Sequence, residues 1–309
     1  MKALVYREVI MKTVKLCFDI GGTFIKYGIF DEENNWLEKG KFPTVISSID
    51  EFFAPIVTLT NMLENKFHIS GIGFSFPGLI NSKTGQAILA GAIVPLHGCN
   101  IKEELLGRLE NLYPVWVEND ANCAALAEIF SGNAREVSSA ILLTLGTGVG
   151  GAIIQDGTLI RGSGFRAGEF GMMVTDYHHS GYQTLHHLAS TSALVNKYRV
   201  LHHIDADTTI RGEDIFANLE DTATNALVDE WATFVAITIF NVVATLDPEK
   251  ILIGGGISQN EMLLPILEKA LNKNDNWKNF KVPIETCLYH NDSGLLGALY
   301  LIETNGGEK

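Results

Sequence analysis

Leu16-Cys-Phe-Asp-Ile-Gly-Gly-Thr-Phe-Ile-Lys-Tyr-Gly-Ile-Phe30 runs as an apolar segment into Asp19, turns on Gly21-Gly22-Thr23, and leaves as a second apolar segment. Two strands joined this way present bare backbone amides and a hydroxyl, and glycines without a Cβ let those N–H groups converge on a phosphate. A Gly-Gly pair between strands is also an ordinary hairpin signal, so this stretch alone leaves both readings open. The device recurs at Ala140-Ile-Leu-Leu-Thr-Leu-Gly-Thr-Gly-Val-Gly-Gly-Ala-Ile-Ile154, where the turn is Gly146-Thr147-Gly148. Two copies in chain halves of similar size predict two related lobes gripping one polyphosphate. A dinucleotide-binding fingerprint needs a helix directly after its glycines. Here strand-like sequence follows both turns, which argues against it.

With 309 residues, 46% of them hydrophobic, the chain can bury a large core and is long enough for two domains. A net charge of -13 leaves no basic footprint for nucleic acid or an anionic membrane. A polyanionic ligand must then be held locally, by backbone amides and a metal ion. Cys17, Cys99, Cys123 and Cys287 are scattered in or beside apolar segments and form no C-x-x-C pair, as expected of reduced thiols in a cytoplasmic protein. No uninterrupted apolar run reaches the ~20 residues of a membrane span. Residues 1–10 carry Glu8 and lack the apolar core of a signal peptide; they read as an extension or an upstream start before Met11.

Along the chain, a third strand is expected at Trp36–Phe42, and Phe52, Phe53, Ile56, Leu59 and Leu63 line one side of a helix over about 49–67. A buried strand over 69–76 ends at Pro77-Gly78, a turn or a ligand-facing loop. Residues 79–98 read as loop and 101–112 as an amphipathic helix. The strand 115–117 then runs into Asn119-Asp120 and an Ala-rich helical segment. Asp120 is there either an N-cap or a carboxylate poised to take a proton from a hydroxyl; the two are compatible only if Asn122 or another residue takes over the capping. Gly162–Gly171 is a glycine-dense loop carrying Glu169. His178-His179 and His186-His187 raise a metal site, but neither pair has same-face helical spacing and no Cys accompanies them. A central helix is expected over 229–246, ended by Asp247-Pro248. A strand at 250–254 then opens into Gly254-Gly255-Gly256, bare backbone that suits a flat ring such as adenine. A helix at 261–272, a strand near 282–288 and a closely packed helix from Ser293 to Leu301 complete the chain.

In their order, Asp19-Ile-Gly-Gly-Thr, Glu118-Asn-Asp-Ala-Asn, Leu145-Gly-Thr-Gly-Val-Gly-Gly and Ile253-Gly-Gly-Gly-Ile resemble the motifs of the ROK (repressor, open reading frame, kinase) family of sugar kinases, over about residues 12–305. The resemblance implies a two-lobed α/β fold of the actin-like ATPase (ribonuclease-H-like) type with a hinged inter-lobe cleft. The first lobe would take 11–118 plus 290–309 and the second 119–289. It also implies ATP-dependent transfer of phosphate to a sugar hydroxyl, usually the 6-hydroxyl, with Mg²⁺, in a cytoplasmic homodimer. Asp120 becomes the general base and Asp19 the Mg²⁺ residue, acting through water. Gly21, Gly22, Thr23, Gly146, Thr147 and Gly148 become the phosphate cradle, and Gly254, Gly255 and Gly256 the adenosine segment. Asn119, Glu169, Gly78 and His186 become the sugar contacts.

The pattern departs from the family at one place. Members carry a His after Gly-Glu-x-Gly and then a Cys-rich block for structural zinc; here Met172 takes the His position, Thr184 that of the last Cys and His186 that of the block's Glu. No structural zinc is therefore expected. Zinc-less members include bacterial β-glucoside kinases, which makes a glucose unit, free or in a β-glucoside such as cellobiose, the leading substrate. Glucokinase, N-acetylmannosamine kinase and a non-catalytic sugar-sensing regulator are the alternatives.

Overall fold

Both apolar–glycine–apolar stretches fold as hairpins, and each hairpin leads a five-stranded sheet. The computed structural model describes residues 11–176 and 181–306, so His178-His179 lie outside the described residues. The chain divides into two compact units, one made of residues up to Cys123 together with those from Gly294, the other Ala124–Ser293. These divisions fall inside one helix and at the start of another, a few residues beyond the strand ends at which the sequence places them.

In the first unit the strands are β1 (Thr13–Ile20), β2 (Phe24–Phe30), β3 (Trp36–Pro43), β4 (His68–Phe76), β5 (Leu79–Asn81), β6 (Gln86–Leu89) and β7 (Val115–Asn119). The helices are α1 (Ile49–Glu64), α2 (Ile101–Leu106) and the start of α3 (Asp120–Ser131). The sheet order is β3-β2-β1-β4-β7, antiparallel through β3, β2 and β1 and parallel through β1, β4 and β7. β1 and β4 are buried on both faces, which is why they read as unbroken apolar runs. β3 is the exposed edge and carries Lys39 and Lys41, charges that discourage pairing with another chain. Ser48 caps α1 by accepting from the Glu51 amide at 3.1 Å, and Phe52, Phe53 and Ile56 join Phe18, Phe74 and Phe76 in the core. The helix expected over 101–112 stops at Leu106, because Gly107 follows and closes its last turn onto the Glu103 carbonyl. The 79–98 loop holds the short hairpin β5–β6.

The second unit holds the strands β8 (Ala140–Leu145), β9 (Val149–Gln155), β10 (Thr158–Ile160), β11 (Val174–Asp176), β12 (Gln183–Thr184), β13 (Lys250–Gly254) and β14 (Ile284–Thr286). Its helices, after the body of α3, are α4 (Leu185–Ala189), α5 (Thr191–Leu201), α6 (Gly212–Phe216), α7 (Thr222–Leu246), α8 (Leu263–Leu271) and α9 (Trp277–Phe280). The order β10-β9-β8-β13-β14 repeats the first unit's arrangement, an antiparallel hairpin-led half and a parallel half. α7 begins seven residues before its apolar pattern suggests, because Asp221 caps it by accepting from the Thr224 amide at 2.8 Å. By length and hydropathy α7 could cross a membrane; half of its most apolar window is buried, and Val228, Trp231, Val235, Ile239 and Val242 pack with Ile141, Leu143, Ile251 and Ile253. Finally α10 (Ser293–Gly306) places Leu295, Ala298, Leu299 and Ile302 against Cys17 and Phe30 of the first unit.

Glu128 of α3 is a fully buried carboxylate that backbone amides satisfy. Its Oε2 accepts from Asn133 at 2.7 Å, and its Oε1 from Leu288 at 2.7 Å and Tyr289 at 3.4 Å. Replacing Glu128 with Ala orphans these donors, and urea unfolding should show a loss of about 2–4 kcal/mol, a few kilocalories for buried donors left unpaired.

Candidate active site

Asp19 is the penultimate residue of β1. Its parallel neighbour on β4 is Ser75 and its antiparallel neighbour on β2 is Lys26. The Ser75 hydroxyl donates to Asp19 Oδ1 at 2.8 Å, and the Lys26 ammonium to Oδ2 at 3.0 Å. Gly294 at the start of α10 approaches so closely that a Cβ there would stand 2.3 Å from Asp19 Oδ1, so only glycine fits.

The Gly21-Gly22-Thr23 turn follows. It is closed by the Gly21 amide donating to the Phe24 carbonyl at 3.0 Å. Thr44 ties it from outside, with its hydroxyl on the Gly21 carbonyl at 2.7 Å and its amide on the Thr23 carbonyl at 3.0 Å. Gly22 and Thr23 are left exposed.

At the end of β7 the capping question has a definite answer. Asn119 Oδ1 accepts from the Asn122 amide at 3.0 Å, so Asn119 caps α3. Its Nδ2 donates to the Gly78 carbonyl at 2.9 Å and to Asp120 Oδ1 at 3.0 Å. Gly78 has a φ of +93°, and a Cβ there would meet the Leu89 carbonyl at 2.2 Å, so the turn requires glycine. Glu118, fully buried, accepts from the Asn119 amide at 2.9 Å and from Asn122 Nδ2 at 3.0 Å. Asp120 is thus the first residue of α3, exposed, and its Oδ1 also accepts from the Ala121 amide at 2.8 Å. One turn on, burial first and then the carboxylates of Glu118, Asp19 and Asp120 push the Cys123 thiol well above the usual range.

The second unit carries the other glycines. The Gly146 amide donates to the Gly148 carbonyl at 2.9 Å. Thr191 ties this turn as Thr44 ties the first, its amide on the Gly146 carbonyl at 2.9 Å and its hydroxyl on the Leu145 carbonyl at 3.3 Å. Thr147 is exposed. Gly255 lies on the same Leu145 carbonyl, which a Cβ would approach to 2.2 Å, while Gly256 faces nothing within 4 Å. The Gly146–Gly148 turn and the Gly254–Gly256 segment therefore meet at the ends of the neighbouring strands β8 and β13. The His186 ring lies against Gly148, 2.7 Å from where a Cβ would be. His187 instead bonds Thr184 Oγ1 through Nδ1 at 2.9 Å. Glu169 is half-buried at the start of a 3₁₀ turn, Phe170–Met172, and burial raises its pKa.

Within the first unit Asp19, Gly21–Thr23, Gly78, Asn119 and Asp120 are thus drawn together; within the second, Gly146–Gly148, His186 and Gly254–Gly256. Lys26, Ser75, Thr44, Thr191, Glu118 and Gly294 hold those residues in place and are not among the site residues expected from the sequence.

Two units that each repeat a hairpin-led sheet and end a central strand in a glycine turn define the actin-like ATPase fold, which solved ROK sugar kinases similar to this chain share. The chain belongs to the ROK family, whose profile matches residues 15–305. It is 34% identical over 288 residues to the beta-glucoside kinase of Listeria innocua, covering 92% of this chain and 95% of that one. It is 31% identical over 312 residues to the N-acetyl-D-glucosamine kinase of Mannheimia succiniciproducens, covering 93% and 98%. A ROK family glucokinase from Streptomyces griseus, solved in complex with glucose and AMPPNP, superposes with a TM-score of 0.80 at 26% identity, covering 94% of this chain and 100% of that one.

The raised pKa of Glu169 has a definite sign for stability. The folded chain holds this proton more tightly than the unfolded chain, so stability contributed by protonated Glu169 is present at acid pH and is lost as pH rises past the ordinary glutamate range. Glu169→Gln should therefore raise the melting temperature near neutral pH and leave it unchanged well below pH 4 or so; thermal melts across that range check both.

Proposed function

We infer that this chain is an ATP-dependent sugar kinase that transfers the γ-phosphoryl group to a hexose hydroxyl, the 6-hydroxyl of a glucose unit in glucose or a β-glucoside. The observation that carries the reading is the β7–α3 junction, where Asn119 does the capping and Asp120 is left exposed at a helix start. The kinase names of full-length relatives agree with it.

Phosphoryl transfer asks a protein chiefly for positioning and charge neutralisation. Asp120 accepts the proton of the attacking hydroxyl as the new O–P bond forms and the bond to the β–γ bridging oxygen breaks, releasing ADP. The amides of the Gly21–Thr23 and Gly146–Gly148 turns receive the phosphates, and Gly254–Gly256 lie along the adenosine. Asn119, Glu169 and His186 hold the sugar, with Gly78 acting through its bond to Asn119. Bound with the nucleotide, Mg²⁺ neutralises charge on the phosphates. Asp19 would hold it through water: each of its oxygens accepts one hydrogen bond and keeps a further lone pair.

The beta-glucoside kinase relatives and the altered segment 172–187 together favour a β-glucoside over an N-acetylhexosamine and a zinc-free enzyme over a zinc-bound one. A coupled ADP assay over glucose, cellobiose, gentiobiose, aryl β-glucosides, fructose and N-acetylhexosamines should give its highest kcat/KM with a β-glucoside. A preference for an N-acetylhexosamine would overturn the substrate, absence of turnover with every sugar would favour the sensing regulator, and stoichiometric zinc by elemental analysis would overturn the zinc-free reading.

Replacing Asp120 with Asn should lower kcat by about 100-fold or more, the usual scale for a lost general base. ATP binding and the melting profile should stay near wild type, since Asn119 still caps the helix. Retained turnover would return Asp120 to a structural role.

A further inference from the structure

Seven described residues other than glycine hold a left-handed backbone, with φ between +43° and +66°. Five of them are Asn, Asp or His, the types that enter this region most readily. The other two are Phe165, at +57°, and Tyr182, at +50°. A bulky aromatic residue is strained there, and such outliers gather at ligand sites, where the surrounding structure holds them. Both lie beside the proposed sugar contacts of the second unit. Phe165 comes four residues before Glu169, in a loop pressed onto β9: a Cβ at Gly168 would stand 2.6 Å from the Gly151 carbonyl, and one at Gly171 2.1 Å from that of Val149. Tyr182 immediately precedes β12, which leads through Thr184 into α4 and His186.

Between Glu169 and His186 the chain leaves large apolar side chains open. Met172 closes the 3₁₀ turn with its amide on the Glu169 carbonyl at 3.0 Å. Met173 packs into the core, so its neighbours Met172 and Val174 face out, 61% and 51% exposed. Val174 stands directly across the ladder from Thr184, and Tyr182 is 65% exposed. The path from Glu169 to His186 through the paired strands β11 and β12 therefore runs along an apolar face continuous with the sugar contacts. A β-glucoside differs from glucose only in the group on its anomeric oxygen. In the β configuration that bond is equatorial, so the group leaves in the plane of the sugar ring and comes to lie against whatever borders the residues that hold the ring. An aromatic aglycone offers a π face and a second glucopyranose a face of C–H bonds; both are flat, and both suit aromatic and aliphatic walls.

We propose that Phe165, Met172, Val174 and Tyr182 form an aglycone subsite, a wall that receives the ring borne on the anomeric oxygen of a β-glucoside. The inference rests on the β-glucoside reading and deepens it: Glu169 and His186 hold the glucose ring, and the wall tells a glucoside from glucose. In this arrangement the strain at Phe165 and Tyr182 is retained because a left-handed residue aims its side chain where an extended or helical one cannot.

The test measures binding by calorimetry on full-length protein, with glucose, methyl β-glucoside, phenyl β-glucoside and cellobiose as probes. Methyl β-glucoside carries the linkage without a ring. Wild type should bind phenyl β-glucoside or cellobiose about 10-fold more tightly than methyl β-glucoside, the scale of one or two aromatic contacts, and whichever of the two shows the preference names the ring. Phe165→Asn and Tyr182→Asn each remove an aromatic ring and keep a residue that accepts this backbone. Each should cut the preference to about threefold and the double variant should abolish it, with glucose affinity changed less than about twofold. Tyr182→Asn should melt at or above the wild-type temperature because it relieves strain, whereas a residue serving only the fold would lower the melting temperature and leave the preference intact. If Phe165→Asn does not fold, Met172→Gln and Val174→Thr on the exposed face support the same comparison. A preference unchanged in the double variant, or equal losses for glucose and the glucosides, would overturn the proposal; so would a change of oligomeric state by sedimentation with the preference unchanged, which gives the face to a second copy. A wild type that phosphorylates glucose but shows no preference for a ring overturns the wall and leaves the kinase reading standing. One that shows the preference but releases no ADP with any sugar defeats the kinase reading alone.

Discussion

A helix cannot begin without something to receive its first amide protons, and at the end of β7 that obligation falls on Asn119. One side chain meets it: Oδ1 takes the Asn122 amide, while Nδ2 reaches back to the Gly78 carbonyl and fixes the loop after β4. Glu118 behind it, fully buried, holds both Asn119 and Asn122. The arrangement leaves Asp120 inside the helix and facing outward. Had Asp120 been the cap, its carboxylate would have been turned over the first turn of α3; as it is, it accepts from the adjoining Ala121 amide and from Asn119 Nδ2 and stays exposed.

The same division of labour governs the glycine turns. A turn that is to offer amides outward needs its carbonyls held elsewhere. In each unit a threonine from a later segment does this with both its amide and its hydroxyl, Thr44 in the first and Thr191 in the second. The repetition extends to strand order, so the two sheets share a topology as well as a motif. Local chemistry and global topology thus agree, which is the condition under which a sequence specifies one structure.

How much of this can be read from the residues depends on distance along the chain. The hairpins, the buried parallel strands and the α1 face follow from local pattern, and all are present. Helix lengths follow where a cap is recognised: Gly107 shortens α2, and Asp221 starts α7 early. The glycines and acids announce themselves because their types are unusual at strand ends. Their supports do not. Lys26 was within reach, since the hairpin pairing Ile20 with Ile25 forces Asp19 opposite Lys26. Ser75, Thr191 and Gly294 were not, because only the folded sheet and α10 bring them beside residues far away in sequence. Asn119 stood beside two other capping types, Asp120 and Asn122, where type alone does not tell which one caps.

The acids at these strand ends also act on the cysteine one turn into α3. Oxidants and alkylating agents attack the thiolate, and burial together with Glu118, Asp19 and Asp120 keeps Cys123 protonated far above neutral pH. Cys17 and Cys287 are buried and likewise held as thiols, and Cys99, half-buried, is shifted the same way. Burial first, and these strand-end acids after it, thereby hold the thiol in its unreactive form.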